Sequence, residues 1–172
     1  LGSGVEGSTE IVAVFALDVG PNGDLYAAGI FDTAGGVPAH NVARWDGTTW
    51  HSLCTGIGGP RPVVYSLAAR ADGTLVAGGY FTTAGGVEAL GVAQWDGTSW
   101  SAVGGGVASA SGPSGIEALA FDVDGQLYAT GFFDTAGGVP AYRAARWDGA
   151  TWTALSSGLR DGIPLSLAVA LN

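Results

Sequence analysis

Three copies of one hexapeptide frame constrain this chain more than anything else in it. Phe31-Asp-Thr-Ala-Gly-Gly36, Phe81-Thr-Thr-Ala-Gly-Gly86 and Phe133-Asp-Thr-Ala-Gly-Gly138 start 50 and then 52 residues apart. At a fixed distance behind each comes a Trp-Asp-Gly turn and a second tryptophan: Trp45 and Trp50, Trp95 and Trp100, Trp147 and Trp152. These pairs account for all six tryptophans. A period of this length means stacked supersecondary units, each unable to bury its own faces without a neighbour.

Every unit opens on an apolar stretch, Val14 to Leu17, Val64 to Leu67 or Ile116 to Leu119. An Asn-Gly or Asp-Gly turn follows, and then Leu25-Tyr26, Leu75-Val76 or Leu127-Tyr128. Short apolar runs split by glycine-containing turns predict four strands joined in hairpins, and no segment carries a 3.6-residue period. The units span approximately 11–57, 63–107 and 115–159, with 163–172 expected to be the first strand of a further one. Four strands in about 50 residues match a β-propeller blade, so the fold class is all-β, a propeller of antiparallel blades. Blades are covered on both faces, which explains unbroken apolar runs such as Leu25, Tyr26, Ala27 and Ala28. Small residues such as Ala77, Gly78 and Gly79 suit the crowded axis, and the tryptophans suit the wider outer wedge, as packing groups. Leu1-Gly-Ser-Gly-Val5 matches Leu53-Cys-Thr-Gly-Ile57, as if it ended a preceding blade. Three blades and a strand fall short of the usual four in a ring, so either the ring continues in a longer chain or copies associate.

The 172 residues carry a formal charge of −9, with 31 glycines and neither lysine nor methionine. Such a surface offers no basic stripe for phosphates or anionic lipid, which argues against nucleic-acid binding, and no apolar run is long enough to span a bilayer. The single cysteine, Cys54, excludes an internal disulfide and is expected to be a small buried hydrophobe.

The glycine-pair strand Leu75-Val-Ala-Gly-Gly79, the aromatic-Asp of Trp95-Asp96 and the later Trp100 resemble kelch-type repeats, the blade type of the galactose oxidase central domain. The resemblance covers nearly the whole chain. Ala28-Gly29-Ile30 and Thr130-Gly131-Phe132 depart from the glycine pair, and the Phe-x-Thr-Ala-Gly-Gly segment is closer to divergent propeller repeats of bacterial surface proteins. The resemblance implies a protein-binding scaffold, and an extracellular or cell-surface location.

Catalytic chemistry finds little support, and an enzyme is not expected. The only histidines, His40 and His51, lie in no nucleophile motif, and two histidines with one cysteine make a poor copper oxidase site. Asp122-Val-Asp-Gly125 has too few oxygens for a calcium loop, and Gly104-Gly-Gly106 reads as a flexible connection rather than a phosphate cradle, so no metal or cofactor is expected. Asp46, Asp96 and Asp148 sit where hairpin tips need an acceptor. Arg44, Gln94 and Arg146 share one repeated position and are expected to pair structurally.

The long connections between the second and third strands, and those between units, should emerge on one side, where the repeats diverge. Candidate ligand-binding residues there are Asp32, His40, Arg61, Glu88, Asp134 and Tyr142. The expected function is a noncatalytic scaffold that binds a protein partner or copies of itself. Alternatives are a glycan-binding propeller, with Tyr142 stacking on sugar and Asp32 or Asp134 accepting its hydroxyls, and part of a propeller enzyme whose site lies in other blades.

Overall fold

The computed structural model describes residues 4–155, 158–159 and 166–168. Among the described residues all regular structure is β. The first unit runs β1 (Val5–Glu6), β2 (Ala13–Val19), β3 (Leu25–Ile30), β4 (Thr33–Ala34), β5 (Val37–Pro38), β6 (Val42–Trp45) and β7 (Trp50–Ser52). The same series recurs as β8 (Ile57–Gly58), β9 (Val63–Ala69), β10 (Leu75–Tyr80), β11 (Thr83–Ala84), β12 (Val87–Glu88), β13 (Val92–Trp95) and β14 (Trp100–Ala102). It recurs again as β15 (Val107–Ala108), β16 (Gly115–Phe121), β17 (Leu127–Phe132), β18 (Thr135–Ala136), β19 (Val139–Pro140), β20 (Ala144–Trp147) and β21 (Trp152–Ala154). Three four-stranded antiparallel sheets result, β2-β3-β6-β7, β9-β10-β13-β14 and β16-β17-β20-β21, which are the three blades. The further strand expected over 163–172 falls largely outside the described residues. No helix among the described residues is long and apolar enough to cross a membrane.

Each blade's first hairpin contains the same irregularity. Strand pairing slips by one residue between Val14 and Ala16, opposite Gly78/Gly79, and between Ile116 and Ala118. Phe15, Tyr65 and Glu117 are thereby left without a register partner, bulged out of the ladder. The bulge dictates the glycine across from it. A Cβ on Gly29, Gly79 or Gly131 would stand 2.0, 2.1 or 2.2 Å from the carbonyl oxygen of Ala13, Val63 or Gly115. This glycine persists in all three units, whereas its neighbour varies as Ala28, Gly78 and Thr130.

The long connection between the second and third strands and the glycine-rich connection between units each contain two-residue strands, a correction of the sequence reading of the latter as flexible. Within the Phe-x-Thr-Ala-Gly-Gly frame the glycine pair turns a two-residue hairpin, with φ of 56° and 80° at Gly35 and Gly36, values that suit a type I′ turn. The connection leaving one blade then pairs with the next blade's hairpin: β8 with β11 and β15 with β18, as β1 does with β4. Backbone bonds from Gly85 N to the Gly56 oxygen and from Gly137 N to the Gly106 oxygen, both 2.8 Å, extend the pairing. A linker that looks floppy because it is rich in glycine is a strap, and its glycines supply left-handed turns at Gly104, Gly105 and Gly106. Cys54 occupies the position of Gly104 with φ of +53° and is exposed, its Sγ 3.4 Å from the Thr98 carbonyl oxygen. The turn aims it outward, so the buried hydrophobe expected there does not exist.

Blades stack in chain order. Tyr26, Ala28, Val42 and Leu53 of the first blade bury against Ile57 of the strap and Val64, Leu67, Leu75, Ala77 and Trp100 of the second. Gly78 lets the next blade close in, since a Cβ there would meet Ile116 Cγ2 at 2.7 Å. Trp100 and Trp152 are buried, and each indole N–H donates backwards to the preceding blade, to the Leu53 oxygen at 3.1 Å and the Val103 oxygen at 3.4 Å. Asp18 Oδ2 accepts from Ala69 N at 2.6 Å and Ser66 Oγ from Leu119 N at 3.0 Å, adding polar links between inner strands.

The hairpin-tip aspartates act as the sequence suggests. Asp46 Oδ1 accepts from Thr48 N and Thr49 N, Asp96 Oδ1 from Thr98 N and Ser99 N, and Asp148 Oδ1 from Ala150 N and Thr151 N. Backbone amides hold all three carboxyls below the usual range, with Thr49, Ser99 and Thr151 the leading donors. A depressed folded-state pKa gives stability that is present above the unfolded carboxylate pKa and lost as pH falls through the folded one. Thermal unfolding midpoints should therefore be flat from pH 7 to about 5 and fall steadily below about 4. A variant carrying Asn at positions 46, 96 and 148 should show a shallower acid limb; an identical limb would remove these turns as the cause.

Arg44 Nη1 reaches Asp24 Oδ2 at 2.8 Å, the pairing expected at this position. In the third blade Gln126 replaces Asp24, and both Gln126 Oε1 and Arg146 Nε are buried without a hydrogen-bond partner. The expected pairing therefore fails there for want of an acid.

Candidate functional site

A cleft of about 740 Å³ opens over the second blade, on the side where its β11–β12 hairpin and the interblade straps emerge. Val63, Tyr65 and Tyr80 form its inner wall, Phe81, Leu90 and Val107 its floor, and Arg61, Ser109 and Ser114 its rim. The lining draws on four separate chain segments, 60–65, 80–82, 90–91 and 107–114, brought together because β8 and β15 strap onto neighbouring blades.

Tyr65 sits at the bulge in β9, outside the ladder, where its ring meets those of Phe15 and Tyr80. Glu117 holds the equivalent position in β16, with its carboxylate near the Tyr80 hydroxyl. Burial raises the Glu117 pKa, partly offset by the polar Tyr80 hydroxyl beside it. Tyr80 is pushed up to about 12, first by burial and then by the negative charge of Glu117. Burial and the same carboxylate raise Tyr65. Rings line up along the inner strands: Phe15 to Tyr65 at 5.2 Å, Tyr65 to Tyr80 at 5.9 Å and Tyr80 to Phe132 at 6.5 Å between centroids.

Of the residues singled out in the sequence, Arg61 alone lines this cleft, beside Leu90 from the divergent loop position. Asp32 Oδ2 accepts from Ser8 N and Ser8 Oγ, both at 2.7 Å, and Asp134 Oδ2 accepts from Ala110 N and Ser109 Oγ, both at 2.8 Å. These bonds hold the strap to the hairpin and depress both carboxyl pKa values. His40 and Tyr142 are exposed at equivalent places on the first and third blades, with φ of 36° and 40°. Glu88 is exposed at the end of β12. The structure does not bring these residues into one site.

Tyr65, Tyr80 and Glu117 escaped the sequence reading. A signal was there: Glu117 is a carboxylate inside an apolar strand run, where its counterparts are Phe15 and Tyr65. On the opposite side His51 Nε2 lies 2.6 Å from Asp46 Oδ2 and 3.1 Å from Thr49 Oγ1. Both contacts use one ring nitrogen, so this trio is not the acid-base-nucleophile relay, in which the acid holds the second nitrogen. Among the described residues no group of three or more His, Cys, Asp or Glu side chains is placed to hold a metal ion.

A family model described as a beta-propeller domain of unknown function (DUF5122) matches residues 70–94, from the first hairpin turn of the second blade into β13. The match is short and agrees with the propeller architecture. No curated protein matches the chain.

Proposed function

We propose that this chain is a noncatalytic propeller scaffold whose first blade takes a further blade on its open face, one that for the 172-residue chain by itself a second copy would supply. The observation that carries the reading is a comparison of equivalent side chains. Val64 and Leu67 of the second blade are 0% and 8% exposed, and Ile116 and Leu119 of the third are 0% and 7%, because a preceding blade covers each pair. Their counterparts on the first blade, Val14 and Leu17, are 40% and 62% exposed. Phe15 and Val19 extend the same uncovered strand. A contiguous apolar face at positions that elsewhere form a blade interface calls for the same kind of occupant. A kelch-like character fits this reading through Gly78-Gly79 at the end of β10 and the paired tryptophans across β13 and β14. An extracellular or cell-surface setting, where such scaffolds work, belongs to the same proposal.

Sedimentation equilibrium on the 172-residue chain tests it. The expected mass is a multiple of 17.1 kDa. Leu17→Asp should reduce it to one chain with little change in thermal stability, since Leu17 is exposed within its own protomer. A wild-type chain that stays single up to about 100 μM, an ordinary range for homomeric contacts, would refute the second-copy assignment.

A further inference from the structure

Tyr65 and Tyr80, which line the cleft, belong to a belt of side chains that runs beyond it across successive blades. Bulging places Phe15, Tyr65 and Glu117 at one level on the first strands of successive blades, and Tyr80 and Phe132 end the strands beside them. Successive rings are inclined by 40°, 84° and 42°. Faces turned in such different directions give no common platform for a flat sugar ring, but they do present several π-faces around a compact group. The negative potential of such faces, which favours a positive charge, is reinforced by Glu117, which is half-buried beside them. A guanidinium already lies against this belt from within the chain, Arg143 over Phe132 at 5.8 Å. Outward from the belt the cleft continues past Val63, Phe81, Leu90 and Val107, with length for residues on either side of an inserted side chain. Arg61 is exposed on the opposite rim.

We infer that this belt is a subsite for a cationic side chain, an arginine or lysine carried by a partner polypeptide, with Glu117 as its counter-charge and Tyr65 and Tyr80 as its aromatic walls. Cations bind aromatic faces most strongly where water is displaced, and a carboxylate in the same place supplies a charge-assisted hydrogen bond. The complement is also global: the chain has a formal charge of −9 and contains no lysine. The residues assigned to the subsite, Tyr65, Tyr80 and Glu117, belong to the second and third blades, so the inference is independent of what covers the first.

Amide chemical-shift titrations with capped Gly-Arg-Gly, its neutral citrulline counterpart and maltotriose provide the test. The arginine peptide should saturate, shift the amides of Tyr65, Tyr80 and Glu117, and bind about tenfold more tightly than the citrulline peptide, as the loss of one charge-assisted contact implies. Glu117→Gln should erase that preference while leaving the thermal midpoint in place. Tyr65→Leu, a second variant that keeps Glu117, should weaken the arginine peptide several-fold. Equal binding of the citrulline peptide, a preference that survives Glu117→Gln, or saturation by maltotriose alone would overturn the assignment.

Discussion

Gly79→Ala should abolish cooperative folding or lower stability by about 3 kcal/mol or more, as large an effect as a single added methyl group is expected to have in this chain. The new Cβ would lie 2.1 Å from the Val63 carbonyl oxygen and 2.9 Å from Val64 Cα. These are backbone atoms of the adjacent strand, so no rotamer change can make room. Opening the pair would break the β9–β10 ladder at its bulge and push Tyr65 out of the cleft wall. A sharp control is Gly23→Ala, which has φ of +86° and nothing within 4 Å of the added carbon. That variant carries only the left-handed backbone penalty, about 1–2 kcal/mol. Urea unfolding followed by tryptophan fluorescence would compare the midpoints. If Gly79→Ala matched Gly23→Ala, the bulge would not be the reason for the repeated glycine.

The second large effect concerns Trp100, which is 5% exposed. Its ring packs 5.5 Å from Trp95, centroid to centroid, and against the hairpin glycine Gly85, and its indole N–H crosses to the preceding blade's Leu53 carbonyl oxygen. Trp100→Ala should cost about 3–5 kcal/mol, from the lost burial and the cavity left in the wedge between blades. The orphaned Leu53 carbonyl adds to that loss. Against a typical domain stability of about 5–15 kcal/mol, the variant should be marginal at 37 °C. Trp100→Phe keeps an aromatic ring but removes the donor, and should fall between the two. Equilibrium unfolding of the three proteins would show the order. An alanine variant as stable as the phenylalanine one would mean that the tryptophan does not fill the wedge.

Fold and site were legible to different degrees, and particular residues show why. Hairpin tips could be read because Asp46, Asp96 and Asp148 make their bonds within three residues, so the cause is contained in a short window of chain. The interblade strap could not be read in the same way. Ile57 and Gly58 become a strand only because Thr83 and Ala84 arrive beside them, and nothing local in a glycine-rich connection distinguishes a strap from a linker. Asp32 and Asp134 are ambiguous for a related reason. A repeated carboxylate at a loop can hold a ligand or its own chain, and only the position of Ser8 or Ala110 shows that these two hold the chain.

The amino-acid sequence by itself determined the unit: its length, its four strands, its turns and the stacking demanded by sheets apolar on both faces. All of these follow from short-range turn chemistry and side-chain pattern, repeated three times so that chance could be set aside. Tertiary structure alone decided which residues meet. A one-residue slip in pairing set Tyr65 and Glu117 outside the ladder and made Gly79 obligatory, and the packing of one blade on the next buried Val64 while leaving Val14 uncovered. Register and neighbour are relations between distant segments, and identical stretches of chain acquire different roles when those relations differ.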